Sequence, residues 1–121
     1  MANLRVVELK AFVPATDYAR SKQFYRDLGF TMASEGGGVA YFHAGTASFL
    51  LQDGGAASAE PLVLHLLVEN VDDWHHSIRE QQLPQRYQVR LGEIRSQPWR
   101  MRDFELEDPS GVLWLIAQNV D

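Results

Sequence analysis

A length of 121 residues fits one domain. The formal net charge is −5, and the sequence has no basic stripe for a nucleic-acid partner. The chain has no cysteine, which excludes disulfides and thiolate chemistry. No apolar run approaches the roughly 18 residues of a membrane span. Arg5, Glu8 and Lys10 interrupt any signal-peptide pattern. The composition therefore predicts a soluble cytoplasmic protein with no nucleic-acid or membrane partner.

The first half of the chain predicts one strand, one helix and three more strands. Asp17 is a good helix cap, and Gly29 is a good helix stop. Glycine-containing turns separate the later strands. The predicted elements are a strand at residues 4–14, a helix at Tyr18–Leu28, and strands starting at Phe30, at Val39–His43 and at Thr46–Gln52.

The second half repeats this order after a small, polar linker at Asp53–Pro61. It predicts a strand at Leu62–Val68, a helix at Val71–Gln82, and strands at Tyr87–Ile94, Pro98–Glu107 and Val112–Gln118. A repeated unit of this size decides the fold. We expect a single α+β domain over residues 1–121, with unit one at about 4–52 and unit two at about 62–118. The two βαβββ units should form a curled mixed sheet around a cleft, with the helices on the outer face.

The last two predicted strands are joined by Asp108-Pro109-Ser110-Gly111, whose residues favour a tight turn. On the strand before the turn, Phe104 and Leu106 share one face and should pack on the core. Side chains of opposite parity should face the predicted cleft, and they are Trp99, Met101, Asp103 and Glu105.

The element order resembles that of the vicinal-oxygen-chelate superfamily, which includes glyoxalase I, extradiol dioxygenases and bleomycin-resistance proteins. The residues that carry the resemblance are Phe24–Phe30 after Asp17, and the turn at Asp108–Gly111. The run Gln97-Pro98-Trp99, followed by Arg102-Asp103-Phe104, looks most like the bleomycin-resistance branch. That branch implies a homodimer with exchanged N-terminal strands and drug grooves at the dimer interface.

Enzymes of the superfamily hold a divalent metal at four strand positions. The resemblance places those positions at Lys10, Leu50, Val63 and Leu115, with His65 two residues beyond the third. An ammonium group and aliphatic carbon cannot bind such a metal. We therefore expect no metal, no cofactor and no catalytic residues.

Strand parity assigns a mostly apolar wall with a few polar groups to the cleft, as in small-molecule sites. The candidate ligand-binding residues are Phe12, Gln52, His65, Trp99, Met101, Asp103 and Glu105. Trp99 offers a flat face for a planar or cationic ligand, and the resemblance aligns it with a groove tryptophan. The alternatives are a core or interface Trp99, a hydrogen-bonded wall His65, and ion pairs of Asp103 and Glu105 with Arg100 and Arg102. Trp114, of opposite parity to Leu115, should belong to the core.

These observations lead to two functional hypotheses. The first is a homodimeric, antibiotic-resistance-type protein that binds and sequesters a small, planar, cationic compound. The second is a glyoxalase-like or dioxygenase-like metalloenzyme with altered ligands. The residues at the four metal positions favour the first.

Overall fold

The computed structural model describes residues 2–54 and 60–121. Residues 55–59, most of the predicted linker, lie outside the described residues. The elements are β1 (Phe12–Ala15), α1 (Tyr18–Leu28), β2 (Thr31–Gly36), β3 (Val39–Ala44), β4 (Ala47–Asp53), β5 (Val63–Leu67), α2 (Val71–Glu80), α3 (Leu83–Tyr87), β6 (Arg95–Gln97), β7 (Met101–Glu107) and β8 (Leu113–Asn119).

The described strands form two separate four-stranded sheets with the same topology. Their orders are β1-β4-β3-β2 and β5-β8-β7-β6. In each sheet one neighbouring pair is parallel, β1 with β4 and β5 with β8. The other neighbouring pairs are antiparallel. No barrel closes among the described strands. The predicted α+β fold of two repeated βαβββ units is confirmed.

α1 has the predicted bounds, whereas α2 begins at Val71 as predicted but ends at Glu80, two residues before the predicted end at Gln82. The Asp17 side chain accepts a hydrogen bond from the Arg20 amide (3.1 Å), and Gly29 adopts φ +124° at the C-terminus of α1. The Asn70 side chain caps α2 by accepting from the Asp73 amide (3.0 Å). No helix in the described part of the chain is long and apolar enough to cross a membrane.

The predicted first strand is too long. Only Phe12–Ala15 pairs in the sheet, and residues 2–11, here called the N-terminal arm, are exposed. Phe12 lies beside Leu50 in the register, so Leu9 is level with Ala47, the first residue of β4. Residues before Leu9 therefore extend beyond the strand they would pair with, although their polarity alternates as in a strand.

The predicted strand at Tyr87–Ile94 is wrong. Its first residue ends α3, a short helix with proline in its first turn, a position that suits the fixed φ of proline. The strand that follows is β6, only three residues long. The next strand also starts later than predicted, at Met101, because Arg100 adopts φ +62° and closes a turn through Pro98 and Trp99.

One hydrophobic core joins the two units. Tyr25 of α1 lies at its centre, with ring-centroid distances of 4.7 Å to Phe49 and 5.7 Å to Trp114. Phe104 and Leu106 are buried, as predicted for the core face of β7. The predicted core position of Trp114 is likewise confirmed.

A buried hydrogen-bond network connects α1 of unit one to the final hairpin of unit two. The Tyr25 hydroxyl donates to Asp108 Oδ2 (2.5 Å) and accepts from the Trp114 indole N–H (2.9 Å). Asp108 Oδ1 accepts from the Ser110 and Val112 amides, both at 2.8 Å. Burial raises the pKa of the Asp108 carboxyl, and burial together with the Asp108 charge raises the pKa of the Tyr25 phenol. The network thus fixes the angle between the units with polar groups that are all paired.

We expect Tyr25→Phe to lower the free energy of unfolding by about 1–3 kcal/mol, because it removes a donor to a buried carboxylate and the acceptor of a buried indole N–H. Denaturant unfolding measures this loss. The matched control is Tyr41→Phe, which removes a hydroxyl that donates to Glu8 at the surface. Equal losses in the two variants would contradict the role assigned to the buried network.

Candidate functional site

Each sheet packs on helices with one face and leaves the other, here called the open face, largely uncovered by the described residues. Large apolar side chains are exposed there and on the arm. They are Phe12, Val63, Leu67 and Trp99 on or beside the sheets, and Leu4, Val6, Val7 and Leu9 on the arm. This much exposed apolar surface is unusual for a monomer and marks an interaction region.

The second sheet carries a cavity of about 250 Å³ beside Trp99, here called the Trp99 cavity. Trp99 lies at the tip of the β6–β7 turn, not on β7, and is 61% exposed. The turn is held on both sides: the Arg100 amide donates to the Gln97 carbonyl (3.3 Å), and the Val120 amide donates to the Arg100 carbonyl (2.9 Å). A fixed turn therefore holds the indole out over the cavity.

Asp103 lies on the cavity wall and is only 4% exposed. Its Oδ1 accepts a hydrogen bond from Gln97 Nε2 (2.9 Å). No described cation lies within ion-pair distance of this carboxylate. A buried carboxylate with one neutral partner gains from a ligand that supplies a positive charge or a further donor.

Glu105 also lines the cavity, but its ion pair differs from the prediction. Arg90 pairs with Glu105 (3.4 Å) and with Glu107 (2.7 Å). Arg102 instead forms a two-point ion pair with Asp72 of α2, at 2.7 and 3.1 Å. The alternative of a pairing with Arg102 is wrong because alternate residues of β7 face opposite sides of the sheet. Arg100 lies on the turn before β7 and forms no ion pair with a described residue.

The other candidate residues are spread over both sheets. Met101 is half-buried and pairs with Gln97 and Asn119 in the register. His65 is exposed on β5 next to β8. Phe12 and Gln52 are exposed on the first sheet. The Trp99 cavity brings together Trp99, Asp103 and Glu105, and it is lined by residues of unit two alone.

Sequence reasoning missed four polar residues of this cavity, Arg90, Glu93, Arg95 and Gln97. Gln97 has the same strand parity as Trp99 and Asp103, so alternation could have found it. Arg90 lies in the loop between α3 and β6, where no periodic pattern indicates the direction of a side chain.

On the first sheet, Glu8 fixes the base of the arm. Its carboxylate accepts from Lys10 (2.8 Å), Tyr41 (2.7 Å) and Ser48 (2.5 Å). These hydrogen bonds, that from Lys10 first, lower the pKa of the Glu8 carboxyl to about 2. Glu8 and Lys10 therefore form an ion pair, which engages the ammonium group of Lys10.

We expect the base of the arm to loosen as the pH falls from about 4.5 towards 2, because a carboxyl with a lowered pKa stabilises its contacts only while it is ionised. The carboxyl carbon signal of Glu8 in NMR should titrate near pH 2. Glu93, whose carboxyl makes none of these contacts, serves as the internal reference. A Glu8 midpoint above 4 would contradict the three-donor arrangement.

The residues at the four inferred metal positions do not fit a metal. Lys10 presents an ammonium group already paired with Glu8, while Leu50, Val63 and Leu115 offer no donor atom. Within residues 2–54 and 60–121, no three His, Asp or Glu side chains lie close enough together to hold an ion. His65, beside Leu115 in the register, is a lone imidazole.

The fold and the site define a small α+β protein of two βαβββ units with a tryptophan-lined cavity on the open face of its second sheet. The family model of the Glyoxalase/Bleomycin resistance protein/Dioxygenase superfamily matches residues 6–116, and the chain belongs to this family. A comparison with curated protein sequences gives no match.

Several solved structures share the fold at low sequence identity. A bleomycin resistance determinant encoded on transposon Tn5 superposes with a TM-score of 0.79 at 19% identity, covering 93% of this chain and 98% of the other. A bleomycin-binding protein complexed with bleomycin gives 0.79 at 19%, with coverages of 94% and 99%. A lactoylglutathione lyase from Agrobacterium tumefaciens gives 0.74 at 16%, with 96% of each chain covered. Identities this low establish the shared fold alone.

Proposed function

We propose that this protein binds and sequesters a small, planar, cationic compound of the antibiotic type, without metal-dependent catalysis. The observation that carries the proposal is the Trp99 cavity, with an exposed indole at its rim and the buried Asp103 carboxylate in its wall. The neighbours named as a bleomycin resistance determinant and a bleomycin-binding protein support this class of ligand.

The polar groups of the cavity favour a cation over an anion. Three carboxylates line it, those of Glu93, Asp103 and Glu105, against two basic residues. Arg90 is already paired with two carboxylates. Arg95 lies opposite Asp103 in the strand register and is exposed. Asp103 has no cationic partner among the described residues, and its partner Gln97 is neutral. A cationic aromatic ligand would stack on Trp99 and place its charge towards Asp103.

The donor set argues against metal-dependent catalysis. Lys10, Leu50, Val63 and Leu115 leave a divalent ion without imidazole or carboxylate ligands at the inferred positions. The fold also occurs in a protein named lactoylglutathione lyase, so an enzyme with altered ligands is the second candidate. Elemental analysis separates the two, because about one transition metal per chain after chelator-free purification would reject our proposal.

We further propose that the protein acts as a homodimer in which a second copy covers the open faces. The exposed arm and the exposed apolar side chains of both sheets support this arrangement. The Trp99 cavity holds only about 250 Å³, at or below the lower end of drug-sized pockets. A second copy over the open face would deepen the cavity into a groove and keep water from the ligand.

We expect Trp99→Ala to weaken binding of the ligand by roughly 2- to 30-fold, because stacking on an exposed indole contributes about 0.5–2 kcal/mol. Bleomycin and a panel of planar aromatic cations are the probes, and thermal shift followed by calorimetry gives the affinities. Trp99→Phe is the matched control, since it keeps a flat ring and should keep most of the affinity.

The folding stability of Trp99→Ala should stay near that of the wild type, because the indole is mostly exposed. A loss of about 3–5 kcal/mol would instead place Trp99 in a core. A variant that is stable and binds the probes as tightly as the wild type would remove Trp99 from the site.

We expect Val7→Asp to raise the dimer dissociation constant about tenfold or more. Val7 is 98% exposed in the single chain, and burial of such a side chain against a partner contributes about 1.5–3 kcal/mol. Sedimentation over a concentration series measures the change. Asn3→Asp is the control, because it adds the same charge to the arm without removing apolar surface. A wild type that stays monomeric at micromolar concentration would reject the dimer.

A further inference from the structure

A second, separate cavity of about 570 Å³ lies between the two units. It is here called the inter-unit cleft. One wall is the β3–β4 turn of unit one, with Ala44, Gly45 and Ala47, and the other is the junction of β5 and α2 in unit two. None of its lining residues lines the Trp99 cavity.

The repeat explains why this space is open. At the equivalent junction on the other side, the final hairpin of unit two closes on the start of α1. There the Thr16 amide donates to Ser110 Oγ (2.9 Å), and the Tyr25 hydroxyl donates to Asp108. At that junction, side chains of the two units are hydrogen-bonded to one another, and a smaller cavity of about 400 Å³ lies between Pro14 and the final hairpin.

Residues at the same distance from the helix caps of α1 and α2 occupy corresponding positions, and one such pair differs in its ability to form a hydrogen bond. Tyr25 lies eight residues after Asp17, and Ile78 lies eight residues after Asn70. Isoleucine has no hydroxyl to hold a turn in place. The turn that faces α2 is Ala-Gly-Thr-Ala, which carries no carboxylate. Small residues and a missing hydrogen bond thus accompany the larger of the two cavities.

The cleft has an apolar, aromatic wall. Leu66, Val68 and Trp74 are half-buried and line it. Trp74 lies four residues after the α2 cap, where α1 has the fully buried Ser21. An indole in this position offers a flat surface to a small ligand, and the volume falls within the range of small-molecule pockets.

The polar groups of the cleft select a positive charge. Glu69 and Asp73 line it, no basic side chain does, and neither carboxylate forms an ion pair with another described residue. The amides at the start of α2 that would attract an anion are already used. The Val71 amide donates to Gln118 Oε1 (2.8 Å), and the Asp73 amide donates to the Asn70 side chain (3.0 Å).

We propose that the inter-unit cleft is a second ligand site, which takes a small organic ammonium ion with a flat apolar body. The body lies against Trp74, and the ammonium group lies between Glu69 and Asp73. This site shares no lining residue with the Trp99 cavity, so a result that rejects one proposal does not reject the other.

Three probes with one ring and different head groups test the charge preference: 2-phenylethylammonium, 2-phenylethanol and phenylacetate. The indole N–H signals of Trp74, Trp99 and Trp114 in a nitrogen–proton NMR spectrum report the location, after assignment with Trp74→Phe and Trp99→Phe. We expect the ammonium probe to shift the Trp74 signal with a dissociation constant on the order of 1–10 mM. The alcohol should bind several-fold more weakly, and the carboxylate more weakly still.

The variants separate charge, space and folding. Glu69→Gln with Asp73→Asn should remove the preference for ammonium over alcohol, a change of about 3- to 10-fold, because exposed ion pairs contribute modestly. Ala47→Leu should fill the cleft and weaken all three probes. The buried Trp114 signal, whose N–H donates to Tyr25, shows whether each variant is folded. Trp99→Phe should leave binding at the cleft unchanged.

Three outcomes would overturn the proposal. The first is a Trp74 signal that no probe shifts up to its solubility limit. The second is equal binding of the three probes, which would remove the charge assignment. The third is a shift of the Trp99 signal alone, which would leave the Trp99 cavity as the binding site and reject the cleft.

Discussion

The hydrogen bond between Tyr25 and Asp108 is the contact on which the arrangement of the two units depends. It joins residues 83 positions apart, one on the first helix and one at the final turn. Around it, the Trp114 indole and two backbone amides complete a buried network with no polar group left unpaired. Because a half-paired carboxylate at this depth would be costly, the network favours the orientation of the units in which all of its groups are paired.

That orientation also determines where cavities lie on the surface. The helices and the core-facing sides of both sheets are packed together, so the remaining sheet faces are left open. On the second sheet a fixed turn presents Trp99 beside the buried Asp103 carboxylate. Between the units, the junction that lacks the tyrosine–carboxylate contact leaves a cleft beside Trp74. The two spaces thus lie at different places in the fold, one on a sheet face and one between the units.

Much of this fold was predictable from local signals. Asp17, Gly29 and Asn70 determine helix ends through contacts within a few residues, so the helix boundaries were close to correct. Alternation along Met101–Glu107 separated the core face from the open face. The same local rules failed at residues 4–11 and at Tyr87–Ile94. The first stretch alternates, but its residues before Leu9 extend beyond β4, and proline starts a short helix ahead of the second.

The sequence by itself determined the repeat of two βαβββ units, the core role of Trp114 and the lack of metal donors at Lys10, Leu50, Val63 and Leu115. Only the tertiary structure decided that Arg90 pairs with Glu105, that Trp99 lies on a turn, and that a hydrogen-bonded network joins the units at one junction while a larger cleft lies at the other. The physical reason is the distance along the chain over which each interaction acts. Periodicity and capping act over a few residues along the chain, whereas these contacts depend on side chains that meet only after both sheets have packed on a common core.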